Sequence, residues 1–358
     1  MNFKQLTFAR EFRGLSQTEL SKNIEGLSQS NLSKFEKGLS TLSEQLQEKI
    51  IEFLGFPKDF YNKRIYNVLE NSNYRKKSVI TKAEILNFEL RCKLIGFLVD
   101  EMSETLDWPE FKLDPLNVED GYSVKKIAIH TRKLLNIDPE DPIKDIYTLL
   151  ERAGIITYEI EANEKFDGIS FTSKNGYPIV LVNKSFSNDR KRFTIAHELG
   201  HIIMHNERNF ILPDYKTDKI KETEANQFAS EFLMPESEIK NSLLGITLKD
   251  LTPLKTYWLT SMASILRRAL DLGCIDKNKY TNFNIELSRL GYKRIEPVNV
   301  YIDSPTVFKK GYSLFKSELG YSDEEFAKAF NLPIEVINEI FNQNKPTKII
   351  SLNKIQVI

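Results

Sequence analysis

The feature that most restricts this chain is the unit His197-Glu198-Leu199-Gly200-His201, set within 193–205, a run with helical periodicity. On an α-helix, residues four apart differ by about 40° in azimuth and about 6 Å along the axis, so His197 and His201 project from one face. Two imidazoles so placed can share one metal ion. Glu198 is turned by about 100° from His197, which sets its carboxylate beside that face, in reach of a water at the ion. The chain has only four histidines, and His197, His201 and His205 all fall in this helix. Such concentration of a scarce residue argues against the bland alternative, an amphipathic helix with satisfied histidines.

A third ligand has to come from elsewhere. His205 is about 12 Å from His197 along the axis, too far for one ion with ligand bonds near 2 Å, and is read as a flanking or supporting polar group. His130 belongs to a separate helical pattern. In KETEANQFASEFLMP, Glu222, Ala225, Asn226, Ala229 and Leu233 follow helical spacing. Small alanines below a carboxylate let this helix approach the first and bring Glu222 to the metal, with Asn226 placed to hold that carboxylate. Glu224 projects from another face with Phe228 and Glu231 and is the second candidate. His197, His201 and Glu222 would leave a tetrahedral zinc one open position, as a catalytic site requires, with Glu198 as general base.

Around this unit the chain changes character several times. Short helices are expected over 3–13, 17–24, 29–37 and 43–54, separated by Gly14-Leu15-Ser16, Gly26-Leu27-Ser28 and Gly38-Leu39-Ser40; serine ahead of a helical pattern is a good N-cap. A predominantly basic connector follows over 61–82, then helical patterns over 83–106 and 124–135. Residues 154–160 and 168–183 are rich in β-branched and aromatic residues, and Asn175-Gly176 is a strong hairpin signal, so a small antiparallel sheet is expected, with Pro178 on an edge strand. Such an edge would suit an extended peptide substrate. Later helices are expected over 220–233, 254–272 and 324–341.

Composition narrows the class. With 50 basic and 50 acidic residues the formal net charge is zero, so global charge names no partner. Apolar runs fall far short of the roughly 18–20 residues of a membrane span, and the start has no signal-peptide core, so no membrane is expected and the cytoplasm is the expected location. Cys92 and Cys274 are far apart in apolar contexts and are expected to be buried thiols, not a disulfide or metal site.

From about 124 to 235 the chain resembles the ImmA/IrrE family of metallopeptidases, in the segments FDGISF, PIVLVN, RFTIAHELGHIIMH and EANQFASEFLMP, in that order. The resemblance implies a zincin-like fold and zinc on His197, His201 and Glu222. It also points to a repressor as protein substrate, in a stress, mobile-element or toxin–antitoxin switch. LKTYWLTSMASILRRALDLGCI resembles the helical extension that follows this core in many members.

Residues 16–38 resemble the Xre/Cro-type helix-turn-helix. Leu20, Ile24, Leu32 and Phe35 supply contacts between two short helices, and Gln29, Ser30, Asn31 and Lys34 occupy the exposed start of the second, where such folds face base edges of an operator in double-stranded DNA. Gln and Asn can pair adenine bidentately, and Gln17 is placed for phosphate. The first 60 residues hold eight basic and eight acidic side chains, so the basic connector or a homodimer would have to supply the positive field; a protein-docking module is the alternative. A weaker echo, GYSDEEFAKAFNLPIEVINEIF, is acidic and is read as a packing element.

The expected architecture is α+β and predominantly helical: a four- or five-helix head over 1–60, a connector over 61–120, a zinc peptidase core over 121–235 and a helical extension over 236–358. The leading expectation is a DNA-binding regulator with zinc endopeptidase activity. The alternative is a repressor or antitoxin whose zinc domain only senses or binds.

Overall fold

Asn2 opens the first helix of the head and serines open the next three, as their side-chain oxygens accept from otherwise unpaired first-turn amides. The computed structural model describes residues 1–63, 82–164, 166–205 and 215–342; most of the basic connector expected over 61–82 lies outside them. In chain order come α1 (Phe3–Phe12), α2 (Gln17–Asn23), α3 (Gln29–Glu36), α4 (Glu44–Leu54), α5 (Lys82–Met102), α6 (Val124–Leu134) and α7 (Ile146–Arg152). Strands β1 (Ile156–Ile160), β2 (Gly168–Thr172) and β3 (Pro178–Asn183) follow. The rest is helical: α8 (Asn188–Met204), α9 (Tyr215–Leu233), α10 (Glu236–Leu243), α11 (Leu251–Trp258), α12 (Met262–Asp271), α13 (Lys277–Arg289), α14 (Val307–Ser317), α15 (Asp323–Ala329) and α16 (Ile334–Phe341). The class is α+β and predominantly helical, as expected.

The chain divides into two compact units. One comprises Met1–Tyr66, Thr81–Met102 and Lys309–Ile358. Here Ser16 and Ser28 cap α2 and α3, with a reciprocal capping box between Ser16 and Glu19. The third cap is Ser43 and not Ser40. Leu20, Ile24, Leu32 and Phe35 are buried between the helices, as their spacing predicts. The unit also takes in α5, α15 and α16: Arg13 pairs with Glu335 at 2.7 Å and Arg91 with Glu339 at 2.6 Å. The acidic helix-turn-helix echo therefore spends two of its carboxylates on arginines of this same unit.

The other unit contains Ser103–Phe308. Its sheet has the order β1-β3-β2, with β2 antiparallel to β3 and β1 parallel to it. Two expectations are corrected here: the sheet is mixed, and Pro178 lies on the central strand. Pro178 is tolerated there because it is the first residue of β3, facing Thr172 before the pairing with β1 begins at Ile179. Asn183 N–H donates to Asp167 O and Ser173 N–H to Tyr177 O, so hydrogen-bonded pairing falls on odd positions of β2 and the Thr172–Pro178 pair needs no amide donor. In the hairpin loop only Gly176, at φ +94°, takes the left-handed conformation; its N–H donates to Ser173 O, giving a three-residue connection with a glycine bulge.

Helix α8 packs against β2 and β3 on one side and α9 on another, which is why it is buried nearly all round, polar residues such as Arg192 and Glu198 included, beside Ile195, Ala196, Leu199, Ile202 and Ile203. Two glycines permit the approach. A Cβ on Gly168 would sit 2.6 Å from Thr194 Cγ2 and 2.8 Å from Leu181 O, and one on Gly200 would sit 3.0 Å from the Phe228 ring. Beyond α13, residues 300–306 form no helix or strand and are held by side chains of this unit: Asn188 donates to Val300 O, Arg192 to Tyr301 O, and Asp303 accepts from the first amides of α7. Cys92 is buried as expected, whereas Cys274 is only half-buried.

Candidate metal centre

The i, i+4 pair on α8 turns both Nε2 atoms to one point: His197 Nε2 and His201 Nε2 lie 3.1 Å apart. Glu222, on α9, completes the group, with Oε2 3.6 Å from His197 Nε2 and Oε1 3.4 Å from His201 Nε2. Among the described residues, these three form the set of ligand atoms lying within 4.8 Å of one another. Donors on a tetrahedral zinc with bonds near 2.0–2.1 Å stand about 3.3 Å apart, so the triangle has the right size. Glu222 Oε2 is buried and receives no hydrogen bond from the described residues. A buried carboxylate oxygen left so, facing two imidazole nitrogens, fits a cation.

Electrostatics separates the roles. Burial resists ionisation of Glu222, but His197 and His201 outweigh it and hold the carboxyl far below the usual range. Burial pulls His201 down to about 4, which favours the neutral imidazole that a metal needs. For His197 burial works the same way, yet Glu222 and Glu198 outweigh it and its pKa is raised. Glu198 is 3 % exposed, and burial pushes its carboxyl up to about 7, against the lowering effect of the neighbouring His197 and of hydrogen bonds from Ser170. A carboxyl near neutrality suits a general base.

Sequence reasoning missed Ser170, whose hydroxyl donates to Glu198 Oε2 at 2.6 Å; no local signal marks one serine on a strand as the partner of a glutamate on a helix. Asn226 was expected on the Glu222 carboxylate. It instead meets His197 Nδ1 through Oδ1 at 3.2 Å and donates from Nδ2 to the Glu222 backbone carbonyl at 2.7 Å. Glu224 bonds His205 Nε2 at 2.8 Å and stands outside the ligand triangle. The face that carries Glu224 and Phe228 also meets α8, Phe228 against Gly200 and Glu224 at His205; α6 covers α9 as well, and Arg132 of α6 donates to Phe232 O at 2.7 Å. His130 is exposed on α6.

In the head, Gln29, Ser30 and Asn31 are exposed in the first turn of α3, and Lys34 is exposed in its last turn rather than at its start. Gln17 is engaged at both ends, donating to Glu36 at 2.7 Å and accepting from Gln29 at 2.9 Å. Glu36 in turn accepts from Arg10 at 2.6 and 2.8 Å. This chain of side chains ties the starts of α2 and α3 together.

Residues 150–270 match the family described as the IrrE N-terminal-like domain, and residues 8–61 match the helix-turn-helix family. The first match begins later than the resemblance drawn at 124 and runs on through α10 and α11 into α12. Together they support a fusion of a helix-turn-helix head to an ImmA/IrrE-type metallopeptidase domain. No curated protein matches the chain. Among the described residues no helix is long and apolar enough to cross a membrane.

Proposed function

We propose that this protein is a DNA-binding regulator that cleaves another protein, of the repressor type, at a zinc site formed by His197, His201 and Glu222. The observation that carries the reading is the ligand triangle with Glu198 buried beside it. Zinc, when bound, would acidify a water and polarise a peptide carbonyl. Glu198 takes the proton from the attacking water and returns it to the leaving amine, and Ser170 keeps that carboxylate aimed.

The substrate strand belongs on β2, which is an edge of the sheet and carries Ser170. Since odd positions of β2 pair with β3, the backbone groups of Gly168 and Thr172 face outward, ready for an extended peptide. In the head, Gln29, Ser30, Asn31 and Lys34 form the DNA-reading edge, while Gln17 supports Gln29.

The test compares cellular proteins between the wild type and Glu198→Gln. A specific fragment that disappears in the variant is expected, and identical fragment patterns would remove the peptidase reading. For the head, Asn31→Ala is expected to weaken operator binding about tenfold or more, and unchanged binding would remove α3 as the reader.

A further inference from the structure

His205 lies outside the ligand triangle, yet both of its ring nitrogens are engaged. Its Nδ1 meets His201 Nδ1 at 3.0 Å, and its Nε2 meets Glu224 Oε2 at 2.8 Å. The side chain is 4 % exposed. As the C-cap of α8 it leaves helical geometry, with φ −121° and ψ 16°, while its backbone N–H still donates to His201 O. Eight residues from His197, it is excluded from the ion on distance; four residues from His201, it stands behind that ring.

We infer that His205 and Glu224 are positioning residues for the metal centre, acting on it through His201 as a hydrogen-bonded relay. The inference rests on the zinc reading above. Proton placement along the chain has one consistent solution. For His201 to offer an Nε2 lone pair while neutral, its proton sits on Nδ1 and is donated to His205 Nδ1. His205 must then carry its own proton on Nε2, and Glu224 accepts it. A carboxylate at the far end fixes the direction of both bonds and makes His201 the more basic ligand. His197 is supported differently, by the neutral amide of Asn226. The centre is thus asymmetric: one histidine is backed by an amide, the other by an imidazole and a carboxylate. Glu222 and Glu224 divide the work of α9, one facing the ion and the other the relay.

The alternative role for His205 and Glu224 is to fasten α8 to α9 without influence on the ligand. Zinc affinity by chelator competition and ring-¹⁵N spectra of His201 separate the two, measured on the full chain for wild type, His205→Ala and Glu224→Gln. The relay requires His205→Ala to lose about 10–100-fold in zinc affinity. In the metal-free proteins, where Nε2 is not held by an ion, it also requires the His201 Nδ1–H tautomer, dominant in the wild type, to become mixed in the variants. Glu224→Gln keeps the shape and loses the charge, and is expected to lose about fivefold or more. If His205→Ala does not fold, Glu224→Gln alone decides. A wild type that takes up no zinc overturns the peptidase reading and this one together. A zinc-binding wild type whose variants match it within about twofold, with His201 unchanged, overturns the relay alone.

Discussion

Ser170 on the edge strand and Glu198 on the central helix share a 2.6 Å hydrogen bond across the interface between sheet and helix. The bond ties the strand proposed to receive substrate to the carboxylate proposed to move the proton. It also lowers the pKa of a group that burial pushes up to about 7. Ser170→Ala removes that lowering, so the Glu198 pKa rises further. A general base works in its ionised form, so the acid limb of kcat/KM is expected to move to higher pH. A pH–rate profile of both proteins checks this, and superimposable acid limbs would exclude Ser170 from control of the base.

Metal removal should be visible in stability as well as in activity. A ligand that binds only the folded state stabilises it by about 2.7 kcal/mol at a concentration of 100 Kd. Chelation is therefore expected to lower Tm by several degrees, and zinc to restore it. His201→Ala should abolish the response to both. Thermal scans with and without zinc make the measurement, and a chelator-insensitive Tm would speak against a bound metal.

The spacing between α8 and α9 depends on Gly200, where a Cβ would stand 3.0–3.2 Å from Phe228. Gly200→Ala gains about 1 kcal/mol of helix propensity, but it forces the ring away in a packed interface, at about 1–3 kcal/mol. Net destabilisation is expected, together with weaker zinc binding as Glu222 is pushed back. Denaturant unfolding of the metal-free variant and a zinc titration test the two effects separately.

Near the start of α8 a second buried charge cluster predicts acid sensitivity. Lys255, 1 % exposed, reaches Asp189 at 2.5 Å and Glu296 at 2.7 Å. Burial raises the Asp189 pKa, but Lys255 and Ser187 outweigh it and the net shift is downward. A carboxyl depressed in the folded state contributes stability that is complete above its unfolded pKa and is lost as pH falls through the folded one. Stability is therefore expected to decline as pH drops below about 4. Asp189→Asn should flatten that decline while lowering stability at neutral pH, because Lys255 loses a buried partner. Urea midpoints from pH 7 to 3 would show it.

What was legible in the sequence is what short-range periodicity carries. The i, i+4 histidines, the serine caps of α2 and α3, the α3 residues Gln29, Ser30, Asn31 and Lys34, and the small-residue series beside Glu222 depend only on helix geometry, which neighbours a few residues apart determine. Their expected positions along the helices and the observed ones agree, apart from Lys34, which falls in the last turn of α3. Tertiary structure decided everything that depends on which elements become neighbours. Pro178 reads locally as an edge residue, yet its strand is central, because β1 joins in parallel through a long connection that no local pattern encodes. Asn226 and Glu224 were legible as polar groups near the site, but their partners, His197 and His205, depend on the rotation of α9 about its axis, set by Gly200, Phe228 and the cover of α6. Ser170 was invisible for the same reason: a hydrogen bond between residues 28 apart exists only once a sheet and a helix have packed.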